Sequence, residues 1–496
     1  MKRAHLRALT FLFLGVLLMQ AAWILAMPPF RGIDEVDHAY RAAGVANAQW
    51  LPPTVAENGR GHLVVVPESL VVAAGPECRA LVYMGRDNCT PVQDLDSGNV
   101  TVASAAARYH PAFYWIVGAP SQLFDGAQAL YAMRIVAALL CAGFIAFAGW
   151  TLSLWSRTRW PFVSMLVALT PVTIYSTALP APNGIELCAS IALWATMLGL
   201  TRPDITATTE STLLWSALPS ALVLTTVRSF GPVWLGLIVL TVIALIGVRS
   251  TLSLVQRHRG PVAIIATLAS AATVGGASWT VLAGTNQLEE QLDLSNPWTR
   301  SLEQIPLWFF QSIAAFPTRT DQAPQILYAA IFVVLLALVG FGYWVGERRL
   351  RIGIAETLFV AVLVPFVATV TTYSQAGPIW QGRYGLPYAF GVILLAGLAL
   401  EKSQVKHRLV GPAIVAAFLA MSVAHVVGVT NVLVLGRADS PLAGDPSWLM
   451  PAPWLVALLM GLGWLAWGLS LRQLSSAVAI GEHETPRLRK THSISA

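Results

Sequence analysis

The sequence predicts an all-α polytopic membrane protein with about twelve transmembrane helices and a large first loop outside the cytoplasm. Three observations carry this. Hydrophobic residues fill 56% of the 496 positions and charged ones only 11%, against roughly a quarter charged in a soluble domain. Apolar runs of the roughly 20 residues that cross about 30 Å of hydrocarbon recur from end to end. Arginine and lysine gather in alternate connections between those runs, as the positive-inside rule expects of cytoplasmic segments.

The runs are Leu6–Met27, Ala129–Leu154, Trp160–Leu179, Pro182–Leu200, Thr212–Val227, Pro232–Val248, Pro261–Ala283, Ala323–Val345, Ala355–Thr372, Gly385–Leu400, Val410–Leu435 and Pro453–Leu471. The first is read as a retained anchor. Ile24-Leu25-Ala26 lacks the small residue expected three positions before a signal-peptide cut, and Pro28-Pro29 follows at once.

Placing the N-terminus inside puts Arg157 and Arg159, Arg202, Arg249 with Arg257 and Arg259, Arg348 with Arg349 and Arg351, and Lys402 with Lys406 and Arg408 in the cytoplasm. Both termini are then cytoplasmic. The loop from Pro28 to His110 falls outside, and its six arginines against nine acids give it a net charge of −3. The chain's overall charge of +6 is thus a topological signal, and no nucleic-acid module accompanies it.

The expected organisation is a cytoplasmic N-terminus with the first helix (1–27), the loop (28–110), helices two to seven (111–283), a second outer loop with interfacial segments (284–322), helices eight to twelve (323–475) and a disordered cytoplasmic tail (476–496). Cys141 and Cys188 lie in apolar runs and read as packing residues. Cys78 and Cys89 lie in the exported loop, where an oxidising compartment favours a disulfide between them.

The loop opens with PPFRGIDEVDHAYR, Pro28 to Arg41. Pro28-Pro29 stops the first span, Gly32 permits a turn, and Asp34 with Asp37 resembles a capping box at a new helix start. That reading leaves Glu35 and His38 unused. In a continued helix Asp34, Asp37, His38 and Arg41 share one face. Asp34 and His38, one turn apart, would then hold a divalent ion or orient a reacting hydroxyl. Either Asp34 or Glu35 is a candidate general base, since adjacent helical residues diverge by about 100°.

The loop closes with RYHPAFYW, Arg108 to Trp115, in which His110 precedes Pro111 among aromatics suited to the membrane interface. GPIWQGRYGLPY, Gly377 to Tyr388, presents Gln381, Arg383 and Tyr384 beside glycines; Arg383 either snorkels to lipid or offers its planar fork to a phosphate. PAPNGIE places Asn183 and Glu186 at a short outer turn, and VRSFGP places Arg228 at another. These two read as cap and snorkel or as part of the same anion site. His425 lies deep within a run and reads as a hydrogen-bonded helix contact.

In IDEVDHAYRAAG, YHPAFYW, APNGIE and QGRYGLPY the chain resembles the bacterial multi-pass proteins catalogued as domain of unknown function 2142, which are similar to the GT-C superfamily of membrane glycosyltransferases. The resemblance implies a location in the bacterial plasma membrane with an extracytoplasmic active site. It implies a polyprenyl-phosphate sugar donor, a glycan or glycolipid acceptor and surrounding membrane lipids as partners. A divalent metal, Mg or Mn, accompanies some members, and Asp34 and His38 are its candidate ligands here. Asp34 or Glu35 would be the base with His38 its helper; Asp37, His110, Asn183, Glu186, Arg228, Gln381, Arg383 and Tyr384 would bind substrate, with Arg383 on the phosphate. The competing classes are a flippase for lipid-linked glycans, which predicts broken helices at the midplane, and a polymerase or ligase of such glycans.

Overall fold

The computed structural model describes residues 2–95, 98–284, 296–378, 380–403 and 407–484. Each expected apolar run contains helix. Among the described residues seven helices are long and apolar enough to span a membrane, or nine if each of two sharply bent pairs counts as one span. The protein is a multi-pass membrane protein. The remaining three runs fall in Pro182–Gly199, Ala207–Val227 and Leu386–Lys402; the first and last of these are buried along nearly their whole length, inside the bundle.

The helix Lys2–Ala26 packs along Pro453–Glu484, and glycine sets their spacing. A Cβ on Gly15 would lie 2.8 Å from the Gly463 carbonyl oxygen, so only glycine lets the backbones approach this closely. The run 160–179 is broken into Trp160–Ala168 and Pro171–Thr177, bent by 70°. Pro171 has no N–H with which to continue the helix, and at the break the buried Leu169 carbonyl accepts from the His425 imidazole at 2.8 Å. His425 is thus a helix contact. A second bend of 104° separates Gly231–Ile246 from Val248–Arg257, a helix with arginines at both ends.

The loop after the first span folds into a small α/β unit that the all-helical reading did not place. Three antiparallel strands, β1 (His62–Pro67), β2 (Gln93–Leu95) and β3 (Asn99–Ser104), lie in the order β1-β3-β2, with His62 opposite Ser104 and Gln93 opposite Thr101. Val64 and Val66 alternate inward with Val100 and Val102, the period of two of a half-buried strand. The sheet packs against the helix Glu35–Ala46. Cys78, in the helix Glu68–Ala80, is joined to Cys89 by a disulfide with a Cα separation of 5.4 Å.

Arg31 fixes this unit to a distant part of the chain. Its guanidinium meets Glu77 at 3.2 Å and the Asp439 carbonyl at 3.3 Å, while the Ser440 hydroxyl donates to Glu77. In the second loop, residues 285–295 lie outside the described residues, and Pro297–Ile313 forms a helix. The helix Pro453–Glu484 runs into the stretch expected to be a disordered tail, whose last twelve positions, 485–496, lie outside the described residues.

Candidate functional site

The site begins where the first span ends. Asp34 is the N-cap residue of the helix Glu35–Ala46, but it adopts the left-handed conformation (φ 55°, ψ 16°) and its side chain makes no capping bond. The expected capping box with Asp37 is therefore absent. Instead Glu35 turns back and accepts from the Gly32 amide at 3.1 Å. Aspartate is among the few residues that tolerate this backbone region.

Glu35 and Arg134 explain how the turn is held. Arg134 Nε and Nη2 each donate to one Glu35 oxygen at 2.7 Å. Its other N–H groups reach the carbonyls of Ile24, Met27 and Pro28 at 3.0, 3.1 and 2.9 Å. Those carbonyls belong to the unsatisfied end of the first helix and the turn after it. Arg134 thus closes that helix and clamps the next one with a single planar fork. Both side chains are fully buried. The adjacent Ile33 amide donates to the Tyr175 hydroxyl at 3.0 Å, and that hydroxyl donates to the Pro317 carbonyl at 2.6 Å.

Asp34, left free by this arrangement, faces Arg383. Their closest atoms, Oδ2 and Nη2, are 3.4 Å apart; the Asp34 side chain is one-third exposed and that of Arg383 only 6%. Arg383 lies on the 3₁₀ turn Gly382–Tyr384. A Cβ on Gly382 would fall 2.0 Å from the Trp308 carbonyl oxygen, so glycine lets the turn press against the helix Pro297–Ile313. The Gly382 amide donates to Gln311 at 2.9 Å there, fixing the turn.

Tyr384 joins a second arginine to the first. The Arg228 guanidinium carbon lies 4.3 Å from the Tyr384 ring centroid and that of Arg383 lies 5.4 Å from it. Arg228 donates to Asn183 at 2.5 Å and approaches Glu186 at 3.6 Å. Asp34, Asn183, Glu186, Arg228, Arg383 and Tyr384 therefore form one continuous chain of contacts, drawn from four separate parts of the sequence. Four buried polar atoms of this group and the adjoining Gln381 lack a hydrogen-bond partner: Asn183 Nδ2, Glu186 Oε2, Gln381 Oε1 and Arg383 Nε. Unsatisfied buried groups cost about 1–3 kcal/mol each, and their presence here suits a site completed by a polar ligand.

His38 stands beside this chain. Its Nδ1 is 2.7 Å from the Tyr114 hydroxyl. Burial, countered by Asp34 and assisted by the charges of Arg228 and Arg383, pushes the imidazole down to about 4, so it is neutral at pH 7. Asp37 points elsewhere: its carboxylate accepts from the Ala105 amide at 2.7 Å, and the Ser104 hydroxyl donates to its carbonyl at 2.8 Å. Burial raises its carboxyl to about 7, against the Ala105 bond. Asp37 thus anchors the helix to the end of β3. His110 caps the helix Pro111–Gly118 by accepting from Ala112 and packs edge-on against Trp279 at 5.4 Å. Arg41 donates to the carbonyls of Gln49, Trp50 and Tyr109, which makes it a clamp of the loop.

Asp34 and His38, the expected metal ligands, are each engaged by other groups. Asp34 meets a guanidinium, His38 has one nitrogen engaged, and among the described residues no three His, Cys, Asp or Glu side chains converge on one point.

An apolar groove of about 690 Å³ reaches the same turn. It is lined by Trp308, Phe309, Phe332, Pro365, Trp380 and Gly382, among others, and Gly382 is the chain neighbour of Arg383. Arg134 was missed by sequence reasoning. Its signal was available, because an arginine inside an apolar run demands a buried partner.

No curated protein matches the chain. Among solved structures, it is similar to a crystal structure of ArnT from Cupriavidus metallidurans bound to undecaprenyl phosphate, at 14% identity and a TM-score of 0.44, over 94% of this chain and 77% of that one. The apo form of the same ArnT is similar at 13% identity and a TM-score of 0.41, over 88% and 75%. A family model describing a predicted membrane protein, DUF2142, matches residues 17–392, and the chain belongs to that family.

Proposed function

We propose that this protein is a membrane glycosyltransferase that moves a sugar from a polyprenyl-phosphate donor to a cell-envelope glycan or glycolipid on the extracytoplasmic side, with both termini in the cytoplasm. The observation that carries the reading is the Asp34–Arg383 pair, whose arginine lies on the turn that also lines the apolar groove through Gly382. A carboxylate suits an acceptor hydroxyl, a buried guanidinium suits a phosphate, and an apolar groove suits an isoprenoid chain.

The chemistry follows from these groups. Donor phosphate binds Arg383, with Arg228 beyond Tyr384 as the second cation, and takes the place of Asp34 on the guanidinium. Asp34 is then free to accept the proton of the acceptor hydroxyl as that oxygen attacks the anomeric carbon. The bond from that carbon to the phosphate oxygen breaks, and the electron pair leaves on the lipid phosphate, where the two arginines stabilise the growing charge. A single displacement inverts the anomeric centre. Glu35 is the weaker candidate for base, because both its oxygens already accept from Arg134. No step is routed through a metal.

The flippase reading draws on the two bent spans, by 104° at Gly247 and by 70° at Leu169. The Leu169 carbonyl is taken by His425 and so is spent on structure. Purified protein given a panel of polyprenyl-phosphate sugars and glycan acceptors tests the proposal. Release of free lipid phosphate by the wild type but not by Asp34→Asn supports it. Lipid translocation without cleavage would establish the flippase instead.

A further inference from the structure

We infer that Tyr83 and Arg60 form a docking platform for an anionic saccharide beside Asp34, and that this saccharide is the acceptor. The word acceptor rests on the transferase reading; the saccharide site does not.

Tyr83 lies in the segment between the disulfide-bonded Cys78 and Cys89. The Asn88 side chain locks that segment to the neighbouring turn. It accepts from the amides of Arg60 and Gly85 at 2.8 and 3.2 Å and donates to the carbonyls of Arg60 and Ala103 at 3.2 and 3.0 Å. Asp87 adds a bond from the Asn58 amide at 2.8 Å. Residues 58–60 and 85–89 therefore move as one body. On it the Arg60 guanidinium carbon lies 5.4 Å from the Tyr83 ring centroid.

A stapled loop with four such bonds to one side chain is an unusual place to leave an aromatic residue in water. Tyr83 is nevertheless 38% exposed, and Val82 beside it is fully exposed. The charges are equally uneven. The loop as a whole is net negative. Yet among the described residues no carboxylate lies within ion-pair distance of Arg60, Arg86 or Arg319. A part-exposed aromatic ring that carries the Arg60 guanidinium over one face, with no carboxylate among the described residues paired to that guanidinium, matches a sugar ring bearing a carboxylate or a phosphate. The ring's C–H groups lie on the aromatic face, and the anion accepts from arginine.

The platform borders the catalytic candidates. β1 and β3 pair His62 with Ser104, which sets the Arg60 turn beside Ala105, whose amide holds Asp37. Partial desolvation, then the charges of Asp34 and Asp37, push the Tyr83 phenol up, while Arg60 and Arg319 oppose them, so all five groups share one electrostatic neighbourhood. In the transferase reading Arg383 and Arg228 are taken by the donor phosphate. The second anionic partner on the Tyr83 side is then the acceptor.

The test is binding by the full-length protein in detergent to three immobilised probes: an oligogalacturonate, a phosphorylated oligomannoside and neutral maltohexaose. One of the two anionic probes is held at least about tenfold more tightly than the neutral one, the scale of a charge-assisted hydrogen bond. Tyr83→Ala and Arg60→Gln each remove about that factor, and Tyr83→Phe keeps it. The carboxylate and phosphate arms tell the two sources of charge apart. Equal retention of all three probes, no retention of any, or full retention by Arg60→Gln overturns the inference. Arg60 is exposed, so this second variant keeps the test decisive if Tyr83→Ala fails to fold. Binding needs no turnover: a wild type that holds the anionic probe but cleaves no donor refutes the transferase and leaves the saccharide site standing.

Discussion

Glu35 and Arg134 are joined by two parallel hydrogen bonds of 2.7 Å in a setting where neither side chain touches solvent. Removing one partner leaves an uncompensated buried charge, which costs about 3–5 kcal/mol. Glu35→Ala and Arg134→Ala should therefore each lower the unfolding midpoint sharply in detergent, measured by thermal melting. Exchanging the two residues should recover part of the loss. A melting temperature unchanged in both single variants would show that the pair does not hold the turn.

Asp34 should behave in the opposite way. Its side chain is partly exposed and caps nothing, and asparagine tolerates the same left-handed backbone. Asp34→Asn is expected to melt with the wild type while donor cleavage falls by about 10²–10⁴, the usual range for loss of a general base. Neighbouring carboxylates would thus separate cleanly into one that supports the fold and one that supports turnover.

Arg383→Lys keeps the charge and loses the planar fork. It should raise the donor KM more than it lowers kcat, because a lysine at that depth reaches phosphate as a point charge. Steady-state kinetics with varied donor concentration measure the split. An unchanged KM would move the phosphate elsewhere.

Two buried titrating groups of the first loop, Asp37 and His38, pull stability in opposite directions with pH. Asp37, raised to about 7, keeps its proton in the fold while the unfolded chain ionises near its ordinary 3.8, so its contribution is lost as pH rises through that window. His38, lowered to about 4, stays neutral in the fold while the unfolded chain takes a proton below 6.5, so its contribution is lost as pH falls. Between about pH 4 and 6.5 the two slopes offset each other. Asp37→Asn should leave stability that climbs with pH there, and His38→Gln stability that declines, read from melting temperatures across the range.

Reduction of Cys78–Cys89 opens a loop of sequence separation 11, worth about 3 kcal/mol of chain entropy. The reduced protein should show faster proteolysis within the first loop and little change in the membrane helices.

The helical spans were legible because length and apolarity decide them. Arg383 and Asp34, 349 positions apart, were drawn to one side of the membrane by the charge pattern alone, and they stand 3.4 Å apart in the structure. The choice between Asp34 and Glu35 was not legible. It depends on Arg134, which a hydropathy reading passes over as a blemish in an apolar run. Asp37 was misplaced as a capping residue because the left-handed turn at Asp34 cannot be inferred from aspartates three apart. The strands HLVVVP and NVTVAS carried an alternating pattern that was overlooked within a segment treated as loop.

The glycine contact between Gly15 and Gly463 ties the order of synthesis to the order of assembly. The helix Lys2–Ala26 enters the bilayer early, with a face shaped for a backbone that the ribosome has not yet made. Until Pro453–Glu484 is inserted, that face meets lipid. Truncation before Pro453 should therefore leave an N-terminal helix that crosses the membrane without its neighbour, a ready substrate for membrane quality-control proteases.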